Sequence, residues 1–222
     1  MDNKPLVCAV FDVDGTLVNS ASIVIEAITK MCKQNNLPVP SDKKIISGIG
    51  LSLEDAIGKL FPEEKANISK LADDYRVFAN DIRENYIAPM YEGALDFLDF
   101  LENKDILLAI ATGNSRKGVE TALRSFNILS RFISIKTADT CKGKPDSDML
   151  DQVARETGVD RSNIIMIGDS IYDMQMAKNA KTKSVGASWG YHDANALLNA
   201  GASIIADSYE DLKNKFDVLV EK

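Results

Sequence analysis

The sequence predicts an α/β fold, with a mostly parallel sheet as its core and a block of helices inserted after the first strand. Three observations carry this. Short apolar runs of strand length recur along the chain, helical patterns alternate with them from about residue 90 onward, and residues 20–88 carry helical patterns alone. At 222 residues and 45% hydrophobic, the chain suits one large domain or a core with a smaller insertion.

The strand-like runs are LVCAVF at 6–11, ILLAIAT at 106–112, FISI at 132–135, NIIMIG at 163–168, KSVGA at 183–187 and ASIIA at 202–206. Their apolarity is continuous rather than alternating, as in strands covered on both faces. Helical signals lie between them. In GALDFLDFLEN, Leu95, Leu98 and Leu101 with Phe97 and Phe100 form an apolar stripe. SRKGVETALRSFNI starts at Ser115, a good N-cap. Ser208 and Asp211 resemble a capping box ahead of Leu212, Phe216 and Leu219.

The inserted block opens with SASIVIEAITKMCKQNN, an amphipathic helix ended by the LPVPSD turn. SDKKIISGI and SLEDAIGKLF follow, then PEEKANISKLADDYRVFANDIRENY, whose Pro62 marks a helix start. The expected division is a core of residues 1–18 and 89–222 and a cap of residues 19–88. The chain leaves the core at Asn19-Ser20 and returns at Ala88-Pro89, so the cap should cover whatever lies at the end of the first strand.

Net charge is −7 and no block of Lys or Arg occurs, which argues against nucleic acid or an anionic membrane surface as the main partner. A small anionic ligand is compatible with it. Cys8, Cys32 and Cys141 lack metal-ligand spacing and read as reduced thiols. MDNKPLVCAVFD fits a first strand rather than a signal peptide, and no run is long enough to span a membrane. The expectation is a cytoplasmic protein, monomer or homodimer.

Chemistry concentrates at strand ends. Asp12 and Asp14 follow the first strand, and in open parallel sheets ligands bind beyond those carboxyl ends. Thr112-Gly113-Asn114 ends the second strand, offering a hydroxyl and backbone amides to an anion. Gly168-Asp169-Ser170 ends the fourth, with Asp173 close behind. Gly143-Lys144-Pro145-Asp146 sets a lysine just before a helix, with Pro145 in its first turn. Four aspartates on one edge demand a cation, and all-oxygen ligands suit Mg²⁺. Zinc would want His or Cys, and His192 is the sole histidine. Lysine, donors and metal together make a cradle for a phosphoryl group, with one aspartate as nucleophile and the other as acid and base.

FDVDGTLVNS, ATGNS, KGKPDSDML and IGDSIYDM resemble, in order and spacing, the four motifs of the haloacid dehalogenase superfamily of aspartyl phosphohydrolases, whose cores are Rossmann-like. GIGLSLEDAI, ATGNSRKGVETAL, GDSIYDMQMAKNA and SWGYH look like its phosphoglycolate phosphatase-like branch. The resemblance implies that Asp12 attacks phosphorus and that Asp14 protonates the leaving alcohol and then activates water. It implies Mg²⁺ held by Asp12, the Asp14 carbonyl and Asp169, with Asp173 supporting the metal or Lys144 from behind. Thr112, Gly113, Asn114 and Lys144 would hold the phosphate oxygens. Gly48 and Gly50 would face substrate from the cap. Where relatives often carry Lys-Pro-x-Pro, this chain has Lys144-Pro145-Asp146-Ser147.

The expected function is a Mg²⁺-dependent phosphatase of a small phosphorylated metabolite, with 2-phosphoglycolate the first guess. A nucleotidase, pyrophosphatase or sugar phosphatase stays open. A β-phosphoglucomutase-type mutase is disfavoured, because SASIVIEAITK lacks a histidine, and Asp14 argues against dehalogenation. A non-catalytic binding protein on the same fold would lack the nucleophile, the acid or the lysine. His192 reads as a surface-loop residue, and Trp189 and Tyr191 as packing residues.

Overall fold

The computed structural model describes residues 5–220. Strand β1 (Cys8–Phe11) is followed by helices α1 (Ala21–Gln34), α2 (Asp42–Ile46), α3 (Leu53–Leu60) and α4 (Ile68–Asn85). Then come α5 (Ala94–Glu102), β2 (Leu107–Thr112), α6 (Arg116–Ser125), β3 (Ser134–Thr137) and α7 (Asp148–Thr157). The chain continues with β4 (Ile164–Gly168), α8 (Ile171–Ala180), β5 (Lys183–Ala187), α9 (Ala194–Ala200), β6 (Ile204–Ala206) and α10 (Tyr209–Val220). The strands form one six-stranded parallel sheet in the order β3-β2-β1-β4-β5-β6. This is the expected α/β fold.

Continuous apolar strands are explained by what covers them. Ala9 and Phe11 of β1 point into one core with Phe97, Leu98, Leu101 and Phe216, while Cys8 and Val10 point into another with Met149, Leu150 and Val153. Both faces of the sheet are therefore buried. The helical segment between β1 and β2 has a core of its own, built on Ile28, Met31, Ile45, Ile57, Leu60 and Leu71. Its two connections to the sheet run side by side. The Asn19 amide donates to Pro89 O (2.9 Å), and the Tyr91 amide donates to Leu17 O (3.0 Å).

Several local expectations shift. The third strand starts two residues later than FISI suggests, because Leu129–Arg131 forms a 3₁₀ turn that still involves Phe132. The strand then continues through the buried polar residues Ser134, Lys136 and Thr137. Glu156 accepts a bond from Ser134 Oγ (2.7 Å) and pairs with Lys136, so these side chains do not need an apolar run. Pro145 does not lie in a helix turn. It follows a cis peptide bond in a loop, and α7 begins only at Asp148, whose amide donates to Asp146 Oδ1 (3.0 Å). The capping box at α10 is half formed: Ser208 Oγ accepts from Asp211 N, but the Asp211 carboxylate reaches the amide of Asp207 instead. Pro62 opens a 3₁₀ helix, Pro62–Asn67, ahead of α4. No helix among the described residues is long and apolar enough to cross a membrane.

Candidate active site

The strand order reverses between β1 and β4, the kind of crevice at which open α/β sheets take ligands. Phe11 pairs with Ile167, so Asp12 and Asp169 emerge from neighbouring strands at the same edge. Ligand oxygens of Asp12, Asp169 and Asp173 lie within 4.8 Å of one another, and all three residues are buried. Lys144 enters from the loop before α7. Its Nζ stands 3.1 Å from Asp12 Oδ1 and 2.5 Å from Asp173 Oδ1.

Each acid has a different set of partners. Asp12 Oδ1 also accepts from the Val13 amide (2.7 Å), while its Oδ2 has no hydrogen-bond partner. Asp169 accepts from Thr16 Oγ1 (3.0 Å) and from the Tyr191 amide (2.8 Å). Asp173 Oδ2 closes a reciprocal cap at the start of α8, taking Ser170 Oγ (2.6 Å) and the Ser170 amide (3.0 Å). Asp14 is set apart. Its Oδ2 accepts from Asn114 Nδ2 (2.9 Å), and it lines an open cavity. Asn114 therefore does not serve as the helix cap; Ser115 does, accepting from the Gly118 amide. Thr112 is buried, and its Oγ1 accepts from the Asn114 amide (3.2 Å).

The electrostatics call for a cation. Three buried carboxyl groups cluster about one ammonium, and with all three ionised they would carry an excess of two negative charges. Burial pushes Asp12 up to about 7, against the pull of Lys144 and with the added push of Asp173 and Asp14. Asp169 is held well above the usual carboxylate range by burial and then by the charges of Asp12 and Asp173. Burial acts to lower Lys144, but Asp12 and Asp173 outweigh it and hold the ammonium above its ordinary value. A hard divalent ion fits this buried all-oxygen cluster.

The helical segment closes over these groups. Gly48 and Gly50 line the cavity, as do Thr112, Gly113 and Asn114. Gly50 has φ of +102°, and a Cβ there would come within 2.6 Å of Ser170 Oγ. A Cβ on Gly113 would collide with the carbonyl oxygens of Gly50 and Leu51, so the loop rests backbone to backbone on the strand end. Gly50→Ala is expected to destabilise the protein by about 1–3 kcal/mol through the strained φ alone. Gly48→Ala, whose Cβ would meet nothing nearer than 3.4 Å, should cost far less. Urea unfolding of the two variants checks this, and equal losses would contradict the close contact at Gly50.

The family model for haloacid dehalogenase-like hydrolases matches residues 9–187, which spans the β1 aspartates, the helical segment and the strands through β5. The chain belongs to that family. Among haloacid dehalogenase-like hydrolases, it is 28% identical over 213 residues to "Probable phosphatase IndB" of Dickeya dadantii, covering 94% of this chain and 92% of that protein. It is 24% identical to the phosphoglycolate phosphatase of Vibrio parahaemolyticus, with 96% of both chains covered. A solved hydrolase from Pseudomonas syringae superposes with a TM-score of 0.85 at 27% identity, covering 96% of this chain and 99% of its own.

Sequence reasoning passed over several residues of this haloacid dehalogenase-like site. Thr16, Ser170 and the Tyr191 backbone hold Asp169 or Asp173; all three stand inside the motif stretches, so the signal was present. His192 is half-buried rather than on the surface, its Nδ1 accepting from the Ile171 amide (3.2 Å). Trp189 donates to Thr16 O (3.1 Å) and packs on Tyr209; neither Trp189 nor His192 lines the cavity. Tyr75, Asn80 and Arg83 of α4 do line it, and nothing in the residue pattern of that helix singled them out.

Proposed function

We propose that this chain, a phosphatase of the haloacid dehalogenase-like hydrolase family, hydrolyses a small phosphate monoester through a phosphoryl group carried on Asp12. The observation that supports it most is the Asp12 carboxylate. One oxygen is fixed by Val13 N and Lys144, and the other is buried and unpartnered at the end of β1. That free oxygen is the nucleophile. It attacks phosphorus as the bond to the alcohol oxygen breaks, and the alcohol leaves with a proton from Asp14. Asp14 then takes a proton from the water that cleaves the acyl phosphate, releasing inorganic phosphate and restoring Asp12.

Asn114 orients Asp14, while Thr112, Lys144 and the backbone of Gly113 and Asn114 take the phosphate oxygens. Asp12, the Asp14 carbonyl and Asp169 would hold Mg²⁺, which when bound supplies the positive charge that offsets the phosphoryl oxygens. Asp173 is engaged by Lys144 and Ser170 and acts by positioning the lysine. We assign the helical segment, residues 19–88, the role of a cap over residues 1–18 and 89–222. Its loop at Gly48 and Gly50 excludes water from the reacting groups.

Phosphate release from p-nitrophenyl phosphate tests the reading. Activity is expected with Mg²⁺, should vanish in excess EDTA, and should return with Mg²⁺ far better than with Ca²⁺, which prefers more ligands and looser geometry. Undiminished turnover in metal-free buffer would remove the metal from this scheme. No turnover by folded protein in any buffer would remove the phosphatase itself.

A further inference from the structure

The cavity above Asp12 and Asp14 is about 570 Å³ and runs from the strand ends into the interior of the helical segment. Pockets of roughly 300–1,000 Å³ hold ligands of drug size. A two-carbon acid phosphate would leave most of this one unfilled. Its far walls are apolar: Ile28 of α1, Ile45 of α2, Ile49, and Leu53 and Leu60 of α3. Ile28, Ile45 and Leu60 are otherwise core residues, 2%, 2% and 4% exposed. Helices pack to native density unless a ligand is meant to occupy the gap, and an apolar void opening onto a reactive carboxylate is a ligand's place.

One wall differs. Helix α4 presents Tyr75, Asn80 and Arg83 to the cavity. Glu54, also on the wall, is paired with Arg76, and Asp139 accepts from the Arg116 amide and Thr137 Oγ1. Among the described residues Arg83 has no carboxylate within ion-pair distance. It also lines a small adjoining pocket with Asp14 and Asn114, which sets it beside the reacting end. Tyr75, Arg83 and Asp14 line the same cavity, and burial pushes the Tyr75 hydroxyl up to about 12.

Resting on the phosphatase reading above, we propose that this cavity selects monoesters whose alcohol part carries an aromatic or heteroaromatic ring bearing an anionic or carbonyl oxygen, with the ring against the Ile28–Ile49–Leu53 wall and the oxygen on Arg83. The guanidinium fork matches such an oxygen better than a point charge does, and Tyr75 supplies a flat aromatic neighbour for the ring. Arg83 is a specificity residue here. The chemistry at phosphorus is unchanged.

The test compares kcat/KM of the Mg²⁺-loaded protein on four probes, with phenyl phosphate as a fifth, reference substrate. Pyridoxal 5′-phosphate and uridine 5′-monophosphate carry a ring with an oxygen substituent, while 2-phosphoglycolate and pyrophosphate have no apolar body. At least one ring phosphate is expected to exceed both of the others about ten-fold or more. Arg83→Gln should lower the ratio of that substrate to phenyl phosphate about 10- to 100-fold, chiefly through KM, as loss of a hydrogen bond to a charged group does. Leu53→Trp, which fills the apolar end, should shift preference about ten-fold toward 2-phosphoglycolate. Wild-type preference for 2-phosphoglycolate or pyrophosphate overturns the inference and leaves the phosphatase standing. So does an equal loss on all probes in Arg83→Gln. Failure of the folded wild type to hydrolyse any of these compounds, phenyl phosphate included, overturns both.

Discussion

Asp12→Asn is expected to release no inorganic phosphate beyond background while keeping the fold. An amide cannot displace the leaving alcohol, and loss of a nucleophile of this kind costs on the order of 10⁴–10⁶-fold. The substitution is gentle structurally. Asn can still accept from the Val13 amide through its Oδ1, and Lys144 keeps Asp173. Burial already raises Asp12 to about 7, so the wild-type carboxylate is a costly neighbour in the metal-free protein. Replacing it removes one of the three carboxyl groups clustered there. Metal-free Asp12→Asn should therefore unfold at a denaturant concentration no lower than wild type, and Mg²⁺ should stabilise it less. A stopped phosphate assay with chemical denaturation of the same samples checks both halves. Steady turnover by the folded variant would assign the attack to another group.

Much of this was legible because strand ends are where the chemistry stands. An uninterrupted apolar run that stops at Asp12, and another that stops at Asp169, says that two acids leave a sheet at one edge. Parallel pairing of β1 and β4 makes them neighbours. The same logic failed at β3, where Ser134 and Lys136 are buried in a strand without being apolar, because their partner Glu156 lies on a helix twenty residues away or more. Pro145 misled for a local reason: proline marks helix starts but equally serves loops, and only the backbone distinguishes the two. The α4 face was invisible for a third reason. Tyr75, Asn80 and Arg83 lie within about two turns of one helix, but periodicity cannot say whether polar residues there meet solvent or a cavity.

Lys144→Met should damage the fold more than Asp12→Asn does and slow turnover less, and its two effects separate with pH. Lys144 is fully buried and is the one cation in contact with Asp12 and Asp173 among the described residues. Removing one partner of a buried ion pair typically costs about 3–5 kcal/mol, because the remaining charge is left uncompensated. Asp12 can escape by taking up a proton. Asp12 in the folded wild type already sits at about 7, above its ordinary value of 3.8, so the folded state binds more protons than the unfolded one between those values. Stability from this group is therefore lost as pH rises through that interval. Without Lys144 to pull it down, the folded value rises further and the loss extends to higher pH. The gap between Lys144→Met and wild type in metal-free urea melts should accordingly be small near pH 5 and large near pH 8. Mg²⁺ should narrow it at pH 8 by replacing part of the missing positive charge. Turnover follows a different rule: with Mg²⁺ present, kcat/KM should still fall on the order of 10²–10³-fold, as when one donor to a developing anion is removed. A stability gap that is the same at both pH values would mean that Lys144 contributes packing alone, and the charge argument for this cluster would have to be given up.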